Sequence, residues 1–337
     1  MVEGVKLKEL NIQPYDGNTF HESPIFLHFY QFIVNYLNEL QIVIFFILID
    51  IMTAFILSNV SIIQLNSMIT IDRNRLKTHL KDNDDKKLCE KLFINPASIL
   101  NCAEWIVWIY VLSPYSILPC VAQSTQVLQN FLIALIMLSA SNGQRFLSLS
   151  LLALSVVNTF YSLIFLPPVI LILERSAKNI DDSKPQKSTI QLKSIVSSLF
   201  IFLITLISLL LLCLWIENRS FQFIHSTYVF MWTVSDLTPN IGLFWYFFAE
   251  MFDHFRTFFI WVFQINYFLY LIPLTLKLND NPYFLFLITL INHSIFKPYP
   301  TVSDFALYLC MLPQWNHLFE CNDMNILNFV NTNFFCF

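Results

Sequence analysis

Long apolar stretches recur along this chain, and they decide what it can fold into. Ile195–Ile216 carries no charged residue, and Ile42–Leu57 carries only Asp50. Further apolar runs are Ile106–Leu118, Phe131–Ser139, Phe146–Leu173, Phe258–Leu276, Tyr283–Phe296 and Phe305–Leu312. A helix needs about 20 apolar residues to cross the hydrocarbon core of a bilayer. Only 12% of the residues are charged and the mean hydropathy is +0.60. A soluble domain carries about 25% charge, so lipid must be the main solvent of this chain. The expected fold class is all-α: a polytopic membrane bundle. Several runs fall short of a full crossing, and irregular backbone at membrane depth is tolerated only where protein buries it. The bundle should therefore contain tilted, broken or re-entrant helices. The prolines Pro114, Pro119, Pro167, Pro168 and Pro273 fall in or beside these runs and should kink them.

Composition excludes some functions. A net charge of −4 offers no basic face for nucleic acid. The seven cysteines form no CxxC pair and show no metal-ligand spacing, so they read as small apolar residues, and neither metal nor cofactor is expected. The 35 Phe, 13 Tyr and 7 Trp suit helix packing and interfacial belts. Residues 1–24 are mixed polar and the first long apolar run begins near Gln41, so no cleavable signal peptide is expected.

Two basic stretches orient the spans. Arg73–Lys91 and Arg175–Lys193 hold most of the positive charge, and the positive-inside rule places both in the cytosol, in loops at about 59–95 and 174–194. The number of crossings between them must be even. Splitting the long run near Asn158 gives four short helices and satisfies this. Alternation then puts Tyr15–Pro24, Glu217–Ser220, Val234–His254 and Lys297–Asp304 on the luminal side and Lys277–Asn281 on the cytosolic side.

Three of those luminal segments could carry chemistry. Pro14–Pro24 offers Asp16, His21 and Glu22 as a polar loop able to bind a head group, or as a turn and helix cap. Ser235–His254 holds Asp236 and Asn240, the aromatic block Trp245, Tyr246, Phe247 and Phe248, and then Glu250, Asp253 and His254. In a continuous helix Glu250 would share a face with Asp253 and His254. Such a group could contact a metal or a charged lipid head, or belong to an amphipathic helix lying in the interface. Phe296–Asp304 places Lys297 and Tyr299 where a lipid phosphate would lie, or is a tight loop with a snorkelling lysine. There is no GxSxG, P-loop or HExxH pattern, and Asp84–Asp85 and Asp181–Asp182 read as solvated loop residues.

The run Val234–Phe255 (VSDLTPNIGLFWYFFAEMFDHF) resembles the most recognisable stretch of the PIG-U family. The match continues in Val262–Asn266, Phe296–Asp304, Ala306–Tyr308 and Trp315–His317, and in Pro14–Pro24, Ser113–Leu118 and Cys120–Thr125. The resemblance covers about Val2–Phe319. It implies a fold similar to lumen-facing, lipid-dependent mannosyltransferases and residence in the endoplasmic-reticulum membrane. It also implies a non-catalytic role in the complex that attaches GPI anchors to proteins, with a cysteine-protease-like subunit doing the chemistry. The expected partners are the other transamidase subunits, the GPI lipid and the membrane. Residues 1–319 are expected to form the membrane domain, starting after the family's first helix, and Glu320–Phe337 a disordered polar tail. Two alternatives stay open. A mannosyltransferase would use Asp16, His21 and Glu22 in its first luminal loop. A transporter would need more intramembrane charge than Asp50.

Overall fold

In the computed structural model the described residues are 2–10, 12–16, 20–79, 96–180, 192–217, 219–234 and 238–315. Among them there is no strand, and the helices pack as one membrane bundle. Four helical stretches are long and apolar enough to cross a bilayer: Glu39–Thr70, Phe160–Ala177, Leu192–Ile216 and Asp253–Lys277. A fifth candidate is a pair bent by 45°, Asn101–Leu112 and Pro114–Val121.

The chain begins with α1 (Val2–Glu9) and α2 (Pro24–Tyr36). Gly4 allows α1 to sit against the Phe20 ring, because a Cβ there would lie 2.5 Å from it. The run that begins near Gln41 is a single helix, α3 (Glu39–His79). It continues well into the stretch expected as a loop from about 59. The reason is local: Ile62, Leu65 and Ile69 recur at helical spacing, and Gly and Pro are absent. Residues 80–95 and 181–191, the expected loop interiors with both Asp-Asp pairs, lie outside the described residues. So does the tail at 320–337.

The bent pair is α4 (Pro96–Leu112) and α5 (Pro114–Val121), and the bend falls where Pro114 removes a backbone donor. Helix α6 (Gln126–Ser141) is the centre of the bundle, with 12 of its 16 residues buried. Gly143, at φ 74°, closes the tight turn into α7 (Arg145–Asn158). As expected, the long run Phe146–Leu173 breaks at Asn158. It passes through a 3-10 segment (Phe160–Phe165) into α8 (Leu166–Ile180). Pro167 and Pro168 fall in the first turn of α8, where their missing N–H groups cost little, and so cause no kink of their own.

Helix α9 (Leu192–Ile216) follows, then a helical run with a π segment at His225–Val229. Next come α10 (Leu243–Glu250), α11 (Arg256–Leu269), α12 (Leu271–Lys277), α13 (Pro282–Phe296) and α14 (Val302–Met311). The break between α11 and α12 lies at Tyr270, three residues ahead of Pro273.

Small residues let the inner helices approach closely: Ala54, Ala134, Ala140 and Ala153 are all fully buried in the main core. That closeness leaves room for polar side chains inside the bundle. Gln129 donates to Ser155 Oγ (2.7 Å) and Ser162 Oγ (2.8 Å) and accepts from Asn158 Nδ2 (3.2 Å), binding α6, α7 and the 3-10 segment together. Replacing this hub by leucine strands those three groups in an apolar interior, at about 1–3 kcal/mol for each unsatisfied group. Gln129→Leu is therefore expected to lower the unfolding temperature of the detergent-solubilised protein by several degrees. An unchanged melt would show that the hub holds nothing together.

Candidate functional site

At one end of the bundle several element termini converge on a cleft of about 140 Å³. Glu22 reaches it from just before α2, Gln126 from the first turn of α6, and Asn158 from the last residue of α7. Tyr161 comes from the 3-10 segment, and Lys297 and Tyr299 from the loop between α13 and α14. Two of the three sequence clusters, Pro14–Pro24 and Phe296–Asp304, thus meet here.

The loop is built from its own residues. Pro298 and Pro300 exclude helix, and Thr301 with Asp304 forms a capping box that starts α14. Asp304 Oδ2 accepts from Thr301 N (2.7 Å) and Thr301 Oγ1 (3.0 Å), while Oδ1 accepts from Gln126 Nε2 (2.7 Å). Lys297 donates to Asp304 Oδ2 (3.2 Å) and Gln126 Oε1 (3.2 Å). Both charges are buried, with Lys297 6% and Asp304 4% exposed. Burial pushes the Asp304 carboxyl up, but the Lys297 ammonium and the Thr301 hydrogen bond outweigh it and hold the group below its ordinary value. Lys297 therefore does not snorkel to water. Its ammonium borders the cleft with its charge already met.

Aromatic stacking joins the two clusters from the side. His21 donates from Nδ1 to the Ser226 carbonyl (2.8 Å) and lies flat on Phe230, with centroids 3.5 Å apart. Phe230 in turn stacks on Tyr299 at 5.8 Å. Tyr15 donates to the Glu22 carbonyl (3.0 Å), and burial pushes its phenol pKa well up. Asp16 is exposed in the turn before it and takes no part in the cleft.

The aromatic–acidic stretch attaches differently. Asp236 lies outside the described residues. Asn240 Oδ1 accepts from Gly242 N (2.7 Å), and Gly242 fits so closely under Pro300 that a Cβ would lie 2.6 Å from its ring. This contact docks α10 on the cleft loop. Phe247 and Phe248 pack inward on Phe263, at 4.8 and 5.7 Å between centroids. Trp245 is half-buried and Tyr246 is exposed. Glu250, Asp253 and His254 do not share the helical face expected of them. The helix stops at Glu250, Met251 and Phe252 are extended, and Asp253 opens a new 3-10 turn. All three polar side chains are exposed. Asp253 sits in the first turn of the next helical segment, where acids are favoured, and this competes with continuing α10. Among the described residues no group of three His, Cys, Asp or Glu side chains is placed to hold a metal.

Sequence reasoning missed Gln126, Asn158 and Tyr161 as site residues. The two amides had a signal, an unusual density of amides in apolar context, with Gln126, Gln129 and Asn130 at helical spacing on α6, whereas Tyr161 had none. Asp50, the one charge noted inside a span, accepts from the Tyr110 hydroxyl (3.0 Å).

Two predictions follow from the buried pair. Asp304→Asn leaves Lys297 charged and unpaired and should cost about 3–5 kcal/mol, with Lys297→Met plus Asp304→Leu recovering much of it. Equal losses in the single and double variants would contradict the pairing. Because the folded-state pKa of Asp304 lies below its unfolded value, the stabilisation is full at neutral pH. It is lost as pH falls from about 4 through the folded pKa. Acid melts of the wild type should show this extra loss, and melts of the double variant should not.

The chain's relatives match it over more than nine-tenths of its length. The sequence pattern described as "GPI transamidase subunit PIG-U" matches residues 1–337. The human GPI-anchor transamidase component PIGU is 37% identical over 327 residues, 95% of this chain and 71% of the human protein. The fission-yeast GPI transamidase component GAB1 homolog (Schizosaccharomyces pombe) is 30% identical, over 93% of this chain and 67% of its own length. GAB1 of Saccharomyces cerevisiae is 26% identical, over 94% and 68%. The family match over the whole chain, together with these relatives, shows that the chain belongs to the PIG-U family of GPI transamidase subunits.

Proposed function

We propose that this chain acts as a non-catalytic subunit of the GPI transamidase complex in the endoplasmic-reticulum membrane. It holds the GPI lipid while a cysteine-protease-like partner subunit performs the transfer. The observation that carries the reading is the family match over the whole chain, together with a polar cleft at one end of a bundle otherwise apolar on its outside. The groups around the cleft suit binding more than attack: one carboxylate (Glu22), two amides (Gln126 and Asn158), and the hydroxyls of Thr125, Thr159 and Thr301.

Orientation supports the same reading. From α4 through α8 the chain passes between the two ends of the bundle four times, counting α4 and α5 as one pass, which matches the even number the basic stretches require. Arg145 pairs with Glu174 (3.4 Å) and Arg175 donates to the Asp280 carbonyl (2.9 Å) at the end opposite the cleft. The positive-inside rule makes that end cytosolic, so the cleft faces the lumen. Asp236, Asn240, Glu250, Asp253 and His254 are proposed as polar contacts with partner subunits or the head group. Trp245 and Tyr246 would meet lipid or a partner helix, and Lys297 and Tyr299 would frame the head group.

The test is complementation. Expressed in cells lacking their own U subunit, the chain is expected to restore GPI-anchored proteins at the surface and to co-purify with the catalytic subunit. Co-purification without restoration would keep subunit membership and remove the lipid-holding role. Sugar transfer by the purified chain from dolichol-phosphate mannose would overturn the non-catalytic reading.

A further inference from the structure

The polar cleft has an apolar neighbour. A groove of about 460 Å³, almost wholly apolar, is lined by Ile25, Phe29, Phe45, Met52, Leu132 and Leu154 among others. Three elements serve both spaces. Glu22 lines the cleft, and Ile25 and Phe26, three and four positions on, line the groove. Gln126 lines the cleft, and Leu128 and Phe131 line the groove. Asn158 lines the cleft, and Leu154 lines the groove. A helical turn rises about 5.4 Å, so polar and apolar linings succeed each other within about one turn on each element.

Hydrogen-bonding groups give the cleft a sign. Lys297 is held by Asp304 and Gln126. The Tyr161 hydroxyl is taken by Gln264 Oε1 (2.9 Å) and the Met231 carbonyl (3.2 Å). Asn158 is 6% exposed, its Nδ2 engaged by Gln129 and its Oδ1 without a partner. Glu22 Oε2 is likewise buried, and the Tyr30 hydroxyl that faces this carboxylate is a single donor, which leaves most of its acceptor capacity unmet. A buried acceptor left unsatisfied costs about 1–3 kcal/mol, more when charged. The cleft therefore calls for a ligand that brings donors. A phosphate brings only acceptors and would face the Glu22 carboxylate.

We infer that cleft and groove form one site for an amphiphile, with an acyl chain in the groove and an amine- and hydroxyl-bearing head donating to Glu22 and Asn158. The inference rests on the lipid-holding reading above and deepens it. Of the parts of an amino-sugar inositol lipid, the cleft reads the amino sugar rather than the phosphate.

The test uses the assembled complex in nanodiscs and three inositol phospholipids carrying a photoreactive acyl chain. One bears glucosamine, one N-acetylglucosamine, and one no sugar. The glucosamine lipid should label this chain, on α2 and α6, with about tenfold higher affinity than the other two, the size of one charge-assisted hydrogen bond. Glu22→Gln should remove that difference without changing the melt, and Leu132→Trp, which fills the groove, should weaken all three. Equal labelling by the three lipids in the wild type overturns the inference and leaves the lipid-holding reading standing. No labelling of this chain, in a complex that still attaches anchors, overturns both.

Discussion

The ion pair between Lys297 and Asp304 is the constraint on which the candidate site depends. Two opposite charges sit almost out of reach of water inside an apolar bundle. Such a pair persists only when its remaining hydrogen-bonding capacity is met, and here Gln126 and Thr301 meet it. The pair thereby pins the loop between α13 and α14 against the first turn of α6. Everything on that side of the cleft follows. Tyr299 is held where it can stack on Phe230, Phe230 carries His21, and Pro300 becomes the surface that receives Gly242 and the helix behind it.

Polar contacts of this kind matter more in a bilayer than their number suggests. Lipid tails are as apolar as leucine, so helices gain little from burying leucine against one another. Close packing and hydrogen bonds must fix the arrangement instead. The bundle divides accordingly. Its inner helices carry a linked set of amides and hydroxyls that runs from Gln129 to Ser162 and Asn158, and from Asn130 Nδ2 to Ser303 Oγ (2.8 Å). The outer helices are apolar and largely uncovered, as at Phe200, Leu203, Ile207 and Leu211 on α9, and at Phe258, Trp261 and Ile265 on α11.

What could be read from the sequence was mainly local. The apolar runs gave the helices, and the break near Asn158 was visible as an amide at the centre of an otherwise apolar stretch. Alternation of the spans grouped the interesting loops on one face, and the structure does bring His21, Glu22, Lys297 and Tyr299 together. The capping box at Thr301 and Asp304 was also written in the chain, but it announces a helix start and says nothing of the lysine that shares the aspartate. That sharing depends on Gln126, 178 positions away from Asp304, just as His21 finds Ser226 across 205 positions. Spacing arguments fail in a different way at Glu250–His254. Helical periodicity placed three polar groups on one face, and the backbone turned before the face could form.

The central claim is that a lipid head group occupies the cleft walled by Glu22, Asn158 and the Lys297–Asp304 loop. An experimental map of the assembled complex, prepared with a GPI lipid, tests it most directly. The account predicts density for a sugar between Glu22 and Asn158, continuous with an acyl chain beside Phe29 and Leu132. A map with the lipid bound elsewhere and this cleft empty would contradict it.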